Sequence, residues 1–387
     1  MQQLYLLFTS LLFTVVSFAQ NVGIGTTTPD ASAKVEIAST SSGFLMPRMT
    51  TAQRNAIPSP AAGLQIYNTD NNCPETWNGT GWISVCATGN FFNGVVIRVC
   101  AANTWAQITD FGGTARQGAV GFAIGSKGYI GTGNGPGDQK DFWEYDPSGN
   151  TWTQKADFGG TARQGAVGFA IGTKGYIGTG LGSSGFKKDF WEYDPSGNTW
   201  TQKADFGGTA RFSAVGFGIG TKGYIGTGND GIGPYKNDFW EYDPSIDTWV
   251  PKADFGGTAR EAAVGFAIGT KGYIGTGVDG IANKKDFWEY NPSLDTWTQK
   301  TDFGGTGRTY AVGFAIGAKG YIGTGTDGAR KKDFWEYNPS GNTWTQKTDF
   351  GGTIRFGAIG FAIGFKGYIG TGVDGGSNRK DFWEYCQ

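Results

Sequence analysis

Apolar side chains in this chain fall in short alternating runs, and the clearest is GAVGFAIG at 165–172. In an extended strand Val167, Phe169 and Ile171 share one face, while Ala166, Gly168 and Ala170 share the other. The alternation returns at Val120, Phe122 and Ile124, and again at Ile359, Phe361 and Ile363. One face is bulky and the other flat, and neither is polar. Such a strand is buried on both sides. Three more strands follow it: GYIGTG at 175–180, DFWEY at 189–193 and TWTQK at 199–203. Together they predict a four-stranded antiparallel unit, a-b-c-d, whose c–d reversal is the turn sequence DPSGN. A sheet with one bulky and one flat face is shaped to nest against a copy of itself.

Copies are present. DFWEY recurs at Asp141, Asp189, Asp238, Asp286, Asp333 and Asp381, at spacings of 48, 49, 48, 47 and 48 residues. A period of that length means stacked units that cannot bury their faces alone. The fourth-strand signature, Asn-Thr-Trp or Asp-Thr-Trp, also occurs six times, at Trp105, Trp152, Trp200, Trp249, Trp297 and Trp344. The two series are offset. The first Asn-Thr-Trp precedes every strand a, and the last DFWEY has none after it. The orphan strand therefore completes the unfinished last unit. The expected fold is all-β: a six-bladed β-propeller closed by an N-terminal outer strand.

Residues 20–99 do not share the repeat. NVGIGTTTPDASAKVEI is polar, FLMPRMTTAQRNAI reads as an extended piece entering one short helix, and GLQIYNTD, ETWNGTGW and ISVC read as strands, with a turn at Asn78-Gly79. Residues 1–19 carry an apolar run, with Ser17 and Ala19 at small-residue cleavage positions. They read as a secretory signal peptide, although the usual positive n-region is missing. The expected organisation is a signal at 1–19, a small extended β-rich module at 20–86, a linker at 87–99 and the propeller at 100–387.

Two resemblances rest on these residues. The first blade carries Arg116, Tyr129, Gly131, Gly133, Tyr145 and Trp152 in the order of a kelch repeat, and the resemblance covers about 280 residues. It departs at the diglycine, which here is interrupted as Gly-Thr-Gly. GIGTTTP, PRMTTAQRNAI and GLQIYNTD together resemble an N-terminal module of secreted Bacteroidota proteins that has phage-tail-fibre-like relatives. That resemblance implies surface attachment or trimerisation, hence an oligomer through the N-terminal module.

The four cysteines fit an oxidising compartment. In the repeat alignment Cys100 falls at the place of Pro147 and Cys386 at the place of Asp146, although 286 positions separate them. A Cys100–Cys386 disulfide would replace the one c–d hairpin that ring closure leaves cut, and Cys73 would then pair with Cys86. The 32 basic and 33 acidic residues leave a net charge of −1, which gives no reason to expect nucleic acid. Beyond the signal no stretch is long and apolar enough to span a membrane. There is no histidine. That excludes Ser-His-Asp and Cys-His mechanisms, His-ligated zinc, and the copper chemistry of galactose oxidase, another protein with a kelch domain.

Among the carboxylates, the strand-c glutamates (Glu144, Glu192, Glu241, Glu289, Glu336, Glu384) repeat six times. So do Arg116, Arg163, Arg211, Arg260, Arg308 and Arg355. Sixfold repetition favours structural roles: the glutamates are expected to satisfy an Arg or a backbone donor, the arginines to frame the channel mouth and pair with blade carboxylates. What varies is the set of b–c loops, with formal charges of 0, +2, 0, +1, +2 and +1, and the residue after each Arg. Both lie on one face of the ring. The candidate ligand-binding residues are therefore Gln117, Gln164, Phe186, Phe212, Tyr235, Glu261, Tyr310, Arg330 and Phe356. Drift in solvated loops is the competing explanation. Single residues such as Asp230, Asp279 and Asp327 lack the carboxylate density of a calcium loop, so no metal or other cofactor is expected.

Two functions survive. One is a secreted, non-enzymatic module that binds a glycan or a protein at the loop face. The other is a sugar mutarotase resembling N-acetylneuraminate epimerase, a six-bladed kelch propeller; Glu261 is the one unrepeated carboxylate at the mouth available for such chemistry. Secreted material is expected to begin at Gln20, and its non-reducing peptide map to contain Cys73–Cys86 and Cys100–Cys386. An intact Met1, or pairing of Cys86 with Cys100, would contradict this reading.

Overall fold

Six four-stranded antiparallel sheets make up residues 101–387, each in the order a-b-c-d. In the first blade these strands are Val120–Ile124, Lys127–Gly131, Phe142–Asp146 and Thr151–Lys155. The sixth blade has strands Ile359–Ile363, Lys366–Gly370 and Phe382–Cys386, and takes its outer strand, Thr104–Ile108, from the start of the ring. Tyr385 sits opposite Trp105 and Cys386 opposite Thr104. This is the register of Tyr145 with Trp152 and Asp146 with Thr151 in the first blade. The propeller is closed as the offset repeats require.

The computed structural model describes residues 22–24, 28, 35–37, 39–41, 43–70, 73–84, 91–92, 95–96 and 101–387. The signal segment expected at 1–19, and Cys86 and Cys100, lie outside the described residues. The chain divides into two units, Met1–Val99 and Cys100–Gln387. In the first unit, Arg48–Met49 runs parallel to Gln65–Asn68, which continues antiparallel into Cys73–Trp77 and Trp82–Ser84. Helix Thr51–Asn55 begins on a capping box made by Thr50 and Gln53. Beneath it Arg54 donates to Glu75 at 2.6 Å, and Asn68 donates to the same carboxylate. The segment read as a linker carries a short antiparallel pairing, Phe91 with Val96 and Phe92 with Val95. Neither Cys73 nor Cys386 is a free thiol. No helix among the described residues is long and apolar enough to cross a membrane.

Neighbouring blades interlock as bulky against flat. Val120 and Phe122 of the first blade pack with Ala166, Ala170, Ile177 and Tyr193 of the second, and the same cluster forms at all six junctions. Gly175 shows why the flat side carries glycine: a Cβ there would lie 2.5 Å from Cε2 of Phe122. Phe142 is fully buried and meets Trp200 of the next blade edge-to-face at 4.9 Å. Full burial of a ring of this size contributes about 1.5–3 kcal/mol. The Asn of Asn-Thr-Trp makes a second tie. Asn198 adopts φ +51°, accepts the Tyr193 hydroxyl at 2.9 Å, and accepts the Ala156 backbone N–H that leads out of the previous blade at 2.9 Å. Asn103 does the same for the sixth blade, accepting from Tyr385 and Thr348.

Two expectations are corrected, while the arginines do pair with blade carboxylates. The strand-c glutamate does not meet the arginine. Glu144 accepts the Tyr129 hydroxyl at 2.7 Å and faces Lys155 at 3.7 Å, because Tyr129 stands opposite it in the ladder. Nor do the arginines frame the mouth, because they are buried. All five N–H groups of Arg116 are used: two on the Asp141 carboxylate, two on Thr114 and one on the Thr132 carbonyl. Its guanidinium also lies over the Phe111 ring, 4.9 Å from the centroid. The Thr132 carbonyl explains the interrupted diglycine. Thr132 takes φ +57°, turning that carbonyl onto Arg116, and its Oγ1 is left buried without a partner, as in every blade.

Burial alone would raise the Asp189 pKa. Hydrogen bonds from Arg163 and Trp191, with the charge of Arg163, outweigh it and hold the carboxyl below its ordinary 3.8. The same holds for Asp141, Asp238, Asp286, Asp333 and Asp381. Because these folded-state values are depressed, their stability contribution is complete above about pH 4 and is lost as pH falls through them. Near-ultraviolet circular dichroism should show acid unfolding only below about pH 4, and a midpoint above pH 5 would contradict this account. Arg163→Ala strands the Asp189 carboxylate and should cost about 3–5 kcal/mol in urea unfolding. Glu192→Gln, which keeps an acceptor for Tyr176, should cost under about 1.5 kcal/mol. Equal losses in the two variants would be the contrary result.

Candidate functional site

The buried arginine places the mouth. Arg163 anchors the end of the d–a connection, and the next residue, Gln164, exchanges two backbone hydrogen bonds with Leu181 of the b–c loop. Gln117 with Asn134, Phe212 with Asn229, Glu261 with Val278, Thr309 with Thr326 and Phe356 with Val373 repeat the exchange. The variable residue of each blade is thereby tied to the variable loop of the same blade, on one face.

One residue further on, the backbone closes a ring. Gly165 donates to Gly118, Ser213 to Gly165, Ala262 to Ser213, Tyr310 to Ala262, Gly357 to Tyr310 and Gly118 to Gly357, each at 2.9–3.0 Å. All six residues have φ between +52° and +63°. Glycine takes that conformation freely, whereas Ser213, Ala262 and Tyr310 are held there against their preference. Above the ring lies a cavity of about 250 Å³ lined by Gln117, Gln164, Phe212, Ser213, Tyr310, Phe356 and the ring glycines. A separate narrow channel of about 160 Å³, lined by the first residues of the six inner strands, forms the axis of the propeller.

Five of the nine candidate residues therefore converge on one cavity: Gln117, Gln164, Phe212, Tyr310 and Phe356. The other four form a second row. Phe186, from the second blade's loop, stacks on Phe212 of the third, at 5.4 Å between centroids and 17° between planes. It also covers Gly231, where a Cβ would come within 2.4 Å of its ring. Arg330, from the fifth blade's loop, lies over Phe356 of the sixth at 5.4 Å. Tyr235, from the third blade's loop, approaches Glu261 of the fourth. Burial first, then the charge and hydrogen bonding of Glu261, raise its hydroxyl pKa above 10.0. Tyr310 is raised by burial and then by the same carboxylate. Apart from the six equivalent Thr hydroxyls, the buried side-chain polar atoms without a hydrogen-bond partner among the described residues are Glu261 Oε2 and Arg330 Nε.

Ion pairs brace four of the six b–c loops. Asp279 accepts the backbone N–H groups of Ile281 and Ala282 and pairs with Lys284, which with those bonds holds its carboxyl far below the usual range. Asp230, Asp327 and Asp374 do the same work with Lys236, Lys331 and Arg379. No group of three His, Cys, Asp or Glu side chains gathers in metal-binding fashion among the described residues. Sequence reasoning missed the backbone ring and Ser213. The available signal was the run of mostly small residues two places after each Arg: Gly118, Gly165, Ser213, Ala262 and Gly357. It also missed Ile232 and Ile281, 79% and 91% exposed on adjacent loop tips.

With this geometry in hand, comparison adds two likenesses. A family model described as a phage tail like trimerisation region matches residues 23–97. A solved structure titled "Structure of YjhT" superposes with a TM-score of 0.61 at 16% identity, covering 71% of this chain and 96% of that one. No curated protein sequence matches. The likeness at this identity shows the fold, and the repeated four-stranded sheets fit a kelch propeller.

Proposed function

We propose that the chain is a secreted binding module that holds its ligand at the loop-side mouth of the propeller without turnover. The carrying observation is the convergence of Gln117, Gln164, Phe212, Tyr310 and Phe356 on one cavity whose lining contains no charged side chain. General acid–base catalysis needs a group that titrates near the working pH. The one ionisable lining group is the Tyr310 hydroxyl, whose pKa is raised above 10.0, chiefly by burial. Rigid aromatic walls with amide and hydroxyl groups between them suit a ligand held by stacking and directed hydrogen bonds.

Secretion is part of the same reading, and so are the Cys73–Cys86 and Cys100–Cys386 disulfides. The paired register of Cys386 with Thr104, four residues after Cys100, supports the second bridge. The match of residues 23–97 to a trimerisation region supports assembly of three chains, which would present three mouths together and raise avidity. Sedimentation equilibrium of the full chain should then give three times the chain mass, and a monomer at micromolar concentration would count against it.

A specific observation favours the second reading, a sugar mutarotase. Glu261 carries a buried, unpartnered carboxylate oxygen and lies close enough to Tyr310 for its charge to raise that hydroxyl. A carboxylate behind a lining tyrosine is the arrangement a proton relay requires. The decisive test measures binding and anomer exchange together. Replacing Phe212, Tyr310 and Phe356 by Ala should abolish ligand binding and shift the melting temperature little, since all three rings are partly exposed. Accelerated interconversion of free sugar anomers by NMR, lost in Glu261→Gln, would instead establish the enzyme.

A further inference from the structure

The lining also constrains what the ligand is, granted that the mouth is the binding site. We infer that the cavity takes the uncharged, terminal residue of a glycan: one sugar ring held between Phe212 and Phe356, with its hydroxyls on Gln117 and Gln164. Four observations lead there. First, the backbone offers little. The N–H of each ring residue is bonded to the carbonyl of its neighbour, and Gln117, Gln164, Phe212 and Phe356 spend theirs on the b–c loops. A peptide recognised through its main chain would find those partners already taken. Recognition therefore falls to side chains, chiefly the two Gln amides, the Ser213 hydroxyl and the Tyr310 hydroxyl.

Second, those groups match hydroxyls. A carboxamide presents a donor and an acceptor side by side, and a vicinal pair of sugar hydroxyls presents the complement. Third, no cation lines the cavity. Arg330 stands in the second row against Phe356. A carboxylate or phosphate entering here would lose its hydration without an ion-pair partner. Fourth, shape selects an end. In a six-bladed ring the third and sixth blades lie opposite, so Phe212 and Phe356 line opposite sides of the mouth. They offer two apolar walls for the C–H faces of a ring. The cavity of about 250 Å³ falls just under the ~300–1,000 Å³ typical of small-molecule sites. The hydrogen-bonded ring forms its floor. One residue fits, and the rest of the glycan must leave through the opening.

The test uses the full chain on a glycan array, followed by competition with methyl glycosides of neutral hexoses and N-acetylhexosamines. Methyl glycosides have locked anomeric centres, so binding is read free of any turnover. Array hits should end in a neutral sugar and vanish when that residue is capped, and the matching methyl glycoside should compete fully. Gln117→Ala and Gln164→Ala should each weaken binding about 3–10-fold. Salt should change binding little. Hits confined to acidic termini and lost in Arg330→Gln would overturn the inference. So would a silent array. If the array is silent while a protein ligand is lost in the triple alanine variant, the mouth remains the binding site and only the glycan assignment fails. Glycan binding that survives the triple variant would remove both.

Discussion

The buried arginine–aspartate pair is the constraint on which the rest of the propeller depends. In each blade it joins three pieces that the sequence keeps apart: the Gly-Gly-Thr connection entering the blade, the Gly-Thr-Gly end of strand b and the first residue of DFWEY. The guanidinium is buried and uses all its donors, so the pair stores little adaptability. A buried ion pair of this kind is retained less for net stability than for fixing one arrangement among several. Here the arrangement it fixes is the position of the next residue, the one that varies. Rigid scaffold and variable contact are adjacent in the chain, and the first aims the second.

That adjacency separates two kinds of polar group. Repeated ones are consumed by the fold: the aspartates by arginine and tryptophan, the glutamates by tyrosine and lysine, the turn asparagines by tyrosine and the preceding blade. The backbone at the mouth is consumed as well, by a hydrogen-bonded ring that runs through all six blades. What remains available are side chains that differ among the blades. At the mouth their chemistry is aromatic and amide, without charge. The second row has a different purpose. Phe186 and Arg330 reach from one blade to pack on the mouth residue of the next, Phe212 and Phe356.

Much of this was legible beforehand, because periodicity carries geometry when every unit solves the same packing problem. Alternation in GAVGFAIG predicted one bulky and one flat face, and Phe122 against Gly175 is that prediction in contact. The offset between the Asn-Thr-Trp and DFWEY series implied the closing strand to the residue. Partner choice was not legible. Asp141 and Glu144 are both acidic and three residues apart, yet alternation sends one toward Arg116 and the other toward Tyr129. Which neighbour each meets depends on ladder register and on the path of a loop from another part of the blade.

The sequence by itself therefore determined the blade, the blade number, the manner of closure and the face that varies, since each follows from local period and count. Only the tertiary structure decided which variable residues touch a common space. Glu261 and Tyr310 are equally unrepeated in the chain, but one is covered by tyrosines and the other lines the cavity. The closed backbone ring was equally invisible, because each of its hydrogen bonds joins residues about one repeat apart or more and needs a left-handed conformation that three non-glycine residues adopt only under the constraint of their neighbours. Long-range closure of a ring is a property of all six blades together, and no single repeat encodes it.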